Sequence, residues 1–392
     1  MDYQLVDPSQ GLYRRRSWHS FHMINAQISR SYIVQILSIF IPIGIAAGYL
    51  NVSNQLVFFF NLLALIPLIA WISLSITELS GSVGARVEEL LKATLGNPIE
   101  VIVGIIAMHR GEVQLAQSVL IGSTLCYLLL TLGGCFFASG FGKKRLTFDR
   151  TLISTLSSLL MVVCVVSIIP TAVATFSAAA VSDILPISRI TAAALTILLV
   201  VFLVFQLKTH ASLFGLTITA NETNTSARTS FLTISRAVLI LLVTTACVTF
   251  CSIHLVNTID GFASAIGVHK AILAQVLIPL LGNSTKYIAI IIISRVNQLD
   301  MGIKALITSV VRMMLTITPG LVLLGWIYEL PTTLIFDAFE ATVFFISLMV
   351  MNSMIHSGKT NYFEGLMLIA TYLITAFSFY MRPAPPSGVI YI

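Results

Sequence analysis

The chain has 392 residues, of which 57% are hydrophobic and only 10% charged. Soluble domains carry about a quarter charged residues, so a soluble globule is excluded, and the short alternating segments of a transmembrane barrel are missing. The net charge of +6 comes from basic residues placed between apolar runs, which read as membrane-orientation signals and not as a nucleic-acid surface.

Residues 1–31 form a polar segment containing Arg14-Arg15-Arg16, and they reach the first apolar run without a small-residue cleavage site, so no cleavable signal peptide is expected. Eleven apolar runs follow. They lie near 32–50, 55–77, 90–108, 115–140, 150–177 and 189–207, and then near 231–256, 269–295, 302–325, 332–352 and 362–381. Most reach the roughly 20 residues a helix needs to cross the hydrocarbon. The fold class predicted is all-α, a polytopic membrane protein of about 11 transmembrane helices. A polar linker, 208–230, separates 32–207 (one extra helix and a five-helix unit) from 231–381 (a second five-helix unit), and 382–392 is a tail. Five is odd, so the two units enter the membrane from opposite sides.

Charge supports that topology. With a cytosolic N-terminus, Arg14–Arg16, Arg86, Lys92, Lys143, Lys144, Arg145, Arg150, Lys208, Arg228, Arg295, Lys304 and Lys359 fall on the cytosolic side, while only Arg110, Arg189, Lys270 and Arg382 fall opposite. The sequons at Asn221 and Asn224 then face the cytosol and stay unmodified. The five cysteines all sit inside apolar runs and read as helix-packing residues.

Two stretches 186 residues apart begin alike: Gly96-Asn97-Pro98-Ile99-Glu100 and Gly282-Asn283-Ser284-Thr285-Lys286. The same offset carries Gly122-Ser123 onto Thr308-Ser309. A duplicated unit with a Gly-Asn break at its apolar start is the signature of a transporter built from internal repeats. Broken backbone at membrane depth is tolerated where it lines a cavity. Glu100, one turn beyond the first break, is costly there unless it is paired, protonated or bound to a cation. It is the leading candidate for cation ligand and proton carrier. Glu78 is the second carboxylate candidate. Asn97, Asn283, Ser123 and Ser309 supply neutral oxygens beside the breaks. Asp337, Glu340 and Glu364 read as mouth or helix-end charges, and His254 as a packing residue.

These residues resemble the calcium/proton exchanger family of vacuolar cation antiporters, within the cation/calcium exchanger superfamily, from about residue 30 to 380. The first-copy signature stands as Gly96 to Ile102 followed by Gly122-Ser123. Phe205-Gln206-Leu207-Lys208-Thr209-His210, Thr258-Ile259-Asp260-Gly261 and the segment from Gly358 to Gly365 are similar to further family motifs in the same order. Departures fall where the chemistry is expected. The family's second signature, Gly-Asn-Ala-Ala-Glu-His, has Lys286 and Tyr287 in place of its glutamate and histidine. Arg312 stands for a glutamine, Ile253 for an acid, and Cys126-Tyr127 for a Ser-Asn pair.

The resemblance implies a cation/proton antiporter, moving Ca²⁺ or a related cation into a vacuole or other endomembrane compartment in exchange for H⁺. Glu100 and Glu78 would be the metal carboxylates. The cargo cation, H⁺ and the lipid bilayer are the only partners expected; no nucleic acid and no cofactor is called for. Lys286 and Arg312 are site-altering charges: at an effective dielectric of about 20, unit charges about 4 Å apart interact by roughly 4 kcal/mol. Lys286 is thereby set either to repel Ca²⁺ or to pair with Glu100. The alternative is a transport-inactive member, working as a membrane-embedded enzyme or regulator in a former ion cavity. A third reading is a carrier of an anion or organic solute.

Overall fold

The computed structural model describes residues 23–24, 26–50, 52–83, 85–176, 181–211, 214, 231–296, 298–330 and 332–381. Arg14–Arg16, the sequons at Asn221 and Asn224, nearly all of the linker and the tail from 382 lie outside the described residues. Ten helices among the described residues are long and apolar enough to cross a membrane, and one bent pair brings the total to 11 spans.

In chain order the helices are α1 (Tyr32–Tyr49), α2 (Asn54–Val83), α3 (Ala85–Leu95), α4 (Pro98–His109), α5 (Val113–Gly140), α6 (Arg150–Phe176) and α7 (Val181–Val204). They continue as α8 (Phe231–Ile266), α9 (Lys270–Gly282), α10 (Ser284–Arg295), α11 (Leu299–Ile327), α12 (Ala338–His356) and α13 (Tyr362–Met381). Two interruptions sit where the Gly-Asn pairs predict them. The α3–α4 break falls at Gly96-Asn97, with Pro98 at the first helical position, where its missing N–H costs nothing. The α9–α10 break falls at Asn283 and bends the span by 55°. Wider π-turns run over Cys126–Thr131 in α5, Leu273–Leu277 in α9 and Phe205–Thr209 at the end of α7.

The tenth apolar run does not begin as helix. Thr332 to Phe336 are buried without regular secondary structure, and α12 starts only after Asp337, whose carboxylate accepts from the backbone N–H groups of Phe339 and Glu340. A capping carboxylate of this kind fixes a helix start by satisfying otherwise orphaned donors.

Contacts between loops and helix ends tie distant parts of the chain: Leu146–Thr147 pairs antiparallel with Lys359–Thr360, Asp149 N donates to Asp300 Oδ1 at 2.7 Å, and Lys270 meets Glu112 at 2.9 Å. Packing is divided between two apolar cores: α2, α4, α8 and α9 build one, and α5, α6, α11, α12 and α13 dominate the other. Large apolar side chains such as Ile190, Val200, Leu239, Leu242, Ile374 and Phe377 are exposed on the outer faces, as lipid-facing surfaces require.

Candidate functional site

The two breaks meet at the centre. A Cβ at Gly96 would run into the Lys92 carbonyl, so that glycine is set by close approach, whereas one at Gly282 would meet only the tip of Ile99. Glu100 is carried on the first turn of α4 and is 2% exposed. Its Oε1 accepts from Ser123 Oγ on α5 at 2.7 Å and from Asn283 Nδ2 at 2.6 Å. Its Oε2 is buried with no hydrogen-bond partner. One carboxylate oxygen is thus fixed by both repeats, and the other is left over for a ligand. In a buried setting an unmet polar oxygen marks an ion, proton or water position.

Lys286 enters the same place from α10. Its ammonium donates to the Gly96 carbonyl at 2.6 Å, to Asn283 Oδ1 at 2.9 Å and to Asn97 Oδ1 at 3.5 Å. Three neutral oxygens from both breaks surround it. No ion pair joins Lys286 to Glu100; Asn283 lies between them, donating to the carboxylate and accepting from the ammonium. Of the two alternatives the sequence leaves open, direct pairing is not formed; an amide bridge stands in its place.

Arg312 is not a loose charge at the centre. It pairs with Glu89 at 3.3 Å, and Glu89 also takes Gln206 Nε2 and Lys92, the latter at 3.2 Å. Lys92 meets Glu88 at 2.6 Å, and Ser80 Oγ donates to Glu88. Glu88 and Glu89 are 1% and 4% exposed, so α3 carries a buried ionic cluster that the sequence reading missed. The signal was present in consecutive carboxylates four and three residues before Lys92, a spacing that puts all three on one helical face. Ser309 donates to the Ala305 carbonyl at 2.7 Å and lines the adjoining cavity, without touching Glu100.

Glu78 is not brought to Glu100. It is 21% exposed near the end of α2, where Arg30 and Arg236 each approach it to 3.5 Å. The expected pair of metal carboxylates is not assembled, and among the described residues no group of three His, Cys, Asp or Glu side chains is placed to hold a metal ion. Glu340 is buried and accepts from Ser118 at 2.9 Å, whereas His254 packs edge-on to Tyr49, as a packing histidine should. Tyr127 and Tyr287 stand edge to face with centroids 4.8 Å apart.

A cavity of about 90 Å³ adjoins this centre, reaching from Ile72 and Thr77 on α2 past Gly96, Asn97 and Lys286 to Ser309 and Arg312 on α11. Two broken helices crossing at a buried carboxylate, with a cavity leading to them, define a multi-pass membrane carrier built from two inverted repeats. The chain belongs to the sodium/calcium exchanger protein family, whose model matches residues 53–208 and 236–381.

Its relatives agree over most of their length. The chain is 33% identical to a vacuolar calcium ion transporter of Schizosaccharomyces pombe, across 92% of this chain and 87% of that one. It is 32% identical to vacuolar cation/proton exchanger 2 of Arabidopsis thaliana, across 88% and 80% of the two chains. Among solved structures native YfkE superposes with a TM-score of 0.76 at 22% identity, covering 89% of this chain and 100% of that one, which shows the shared fold.

Proposed function

We propose that this protein is a cation/proton antiporter of a vacuolar or other endomembrane, with Glu100 holding cation and proton in turn. The observation that carries the reading is the Glu100 carboxylate, fixed through Oε1 by Ser123 and Asn283 while Oε2 stays unpartnered. Its relatives are named as calcium and cation/proton exchangers, which supports Ca²⁺ or a related cation as cargo. A carboxylate at membrane depth is stable when protonated or cation-bound, so exchanging one for the other is the low-cost path between the two sides. Proton release on one face readies the oxygen for a cation, and protonation on the other face expels it. Asn97, Asn283 and the Gly96 carbonyl supply further oxygens, which a cation reaches once the Lys286 ammonium moves off them.

Proton-gradient-driven ⁴⁵Ca²⁺ uptake into sealed vesicles tests the reading, with other common cations as competitors. Uptake that disappears in Glu100→Gln supports it; absence of proton-driven flux of every cation tried would sink it. The second reading, a transport-inactive member with a regulatory or enzymatic role, is favoured by one observation: the ammonium of Lys286 already sits on the oxygens a cargo ion would use. Its mark is a native protein without flux in which Lys286→Glu creates flux.

A further inference from the structure

The cavity beside the ion site presents charge of one sign. Lys92 from α3, Lys286 from α10 and Arg312 from α11 line it, with the hydroxyls of Thr77, Tyr127 and Ser309 between them and no carboxylate in the lining. Glu88 and Glu89, which pair with Lys92 and Arg312 at 2.6–3.3 Å, are buried outside that lining. Those two carboxylates match Lys92 and Arg312, whereas Lys286 makes no ion pair, hydrogen-bonds only neutral oxygens and feels the charge of Glu100 across Asn283. Glu100 does not line the cavity, and Asn283 separates it from Lys286.

A space of about 90 Å³ has room for several waters or one small inorganic ion. Low-dielectric walls carrying one sign of charge concentrate ions of the opposite sign. We propose that this cavity is a binding site for a small inorganic anion of single charge, of the size of chloride or nitrate, held by Lys286, Arg312 and Lys92. An anion there draws the Lys286 ammonium away from Gly96, Asn97 and Asn283 and frees those oxygens for a cation. That last step rests on the exchange reading; the anion site itself does not.

The test uses the purified full chain in detergent, titrated with sodium chloride or sodium nitrate against sodium gluconate at constant ionic strength. Gluconate is the bulky control anion. The unfolding temperature is expected to rise saturably with chloride and nitrate. Lys286→Gln should weaken the apparent affinity at least about tenfold, the loss of one charge-assisted contact. The double variant Arg312→Gln/Glu89→Gln, which removes a cation together with its carboxylate, should do the same. Lys286→Arg keeps the charge and should keep the binding. A response that never saturates, or equal affinity in the native chain and both neutralised variants, overturns the proposal. Saturable binding in a protein that shows no cation/proton exchange would uphold the anion site and remove the exchange reading instead.

Discussion

The Lys286 ammonium lies 2.6 Å from the carbonyl oxygen of Gly96, so the side chain of the second repeat closes the backbone break of the first. The two residues are 190 positions apart in the chain. Their contact ties the position of the Lys286 ammonium to the geometry of both broken helices.

Replacing that lysine by a carboxylate should therefore change what the carrier accepts. Lys286→Glu removes a positive charge and adds a negative one next to Gly96, Asn97 and Asn283. Hard divalent cations favour oxygen sets that include carboxylates, so Ca²⁺ uptake should rise at least about tenfold over the native rate, equivalent to a difference of roughly 1.4 kcal/mol. Initial ⁴⁵Ca²⁺ uptake at matched protein levels reads this. An unchanged or lower rate would show that the ammonium does not set the preference.

Glu100→Gln keeps the size and the two donors to Oε1 but removes the charge and the exchangeable proton. Exchange should fall to the vesicle background, while the unfolding temperature in detergent stays near native because a neutral amide is cheaper to bury. Retained proton-coupled flux would place the proton elsewhere.

Arg312→Gln leaves Glu89 buried without its guanidinium partner. Breaking one side of a buried ion pair costs about 3–5 kcal/mol, so the single variant should unfold at a clearly lower temperature. Adding Glu89→Gln removes the uncompensated charge and should recover most of the loss. Equal instability of the single and double variants would mean that the pair contributes nothing and Arg312 acts through packing alone.

Two glycines give a paired test of helix packing. A Cβ at Gly122 on α5 would run into the backbone carbonyl of Gln275 on α9, whereas one at Gly320 on α11 meets nothing within 4 Å. Gly122→Ala should cost about 1–3 kcal/mol through overpacking. Gly320→Ala should be neutral or stabilise by up to about 1 kcal/mol, since alanine is the better helix former. Thermal unfolding of the two proteins side by side decides it.

Much of this arrangement is legible in the sequence because membrane burial leaves coarse marks. Apolar length gives the spans, and the two Gly-Asn pairs give the breaks, since a glycine with no room for Cβ and a proline at a helix start are local constraints. Glu100 is legible for the same reason: a carboxylate within an apolar run has few inexpensive fates. What is not legible depends on distant partners. Glu89 draws no reading from the sequence, because Gln206 and Arg312 are brought to it from other helices, over separations that no local pattern encodes. Glu78 shows the reverse error, because only the fold reveals that Arg30 and Arg236 claim it. Glu340 reads as a mouth or helix-end charge and does stand in the first turn of α12, yet it is buried and accepts from Ser118 on α5. Thr332 to Phe336 look like the start of a helix, and the capping geometry of Asp337 shows that they are not.

The buried stretch from Thr332 to Phe336 also holds three helices together. Gln117 donates to the Thr333 carbonyl at 2.9 Å, Ser188 accepts from Leu334 N at 3.1 Å, and Thr171 both donates to the Leu334 carbonyl and accepts from Phe336 N. Helices α5, α6 and α7 are thus buttoned to a single short strap in which backbone groups make almost every closure. The grip comes from polar side chains of the neighbouring helices, and Thr171, with two of the four closures, ties α6 to the strap twice over.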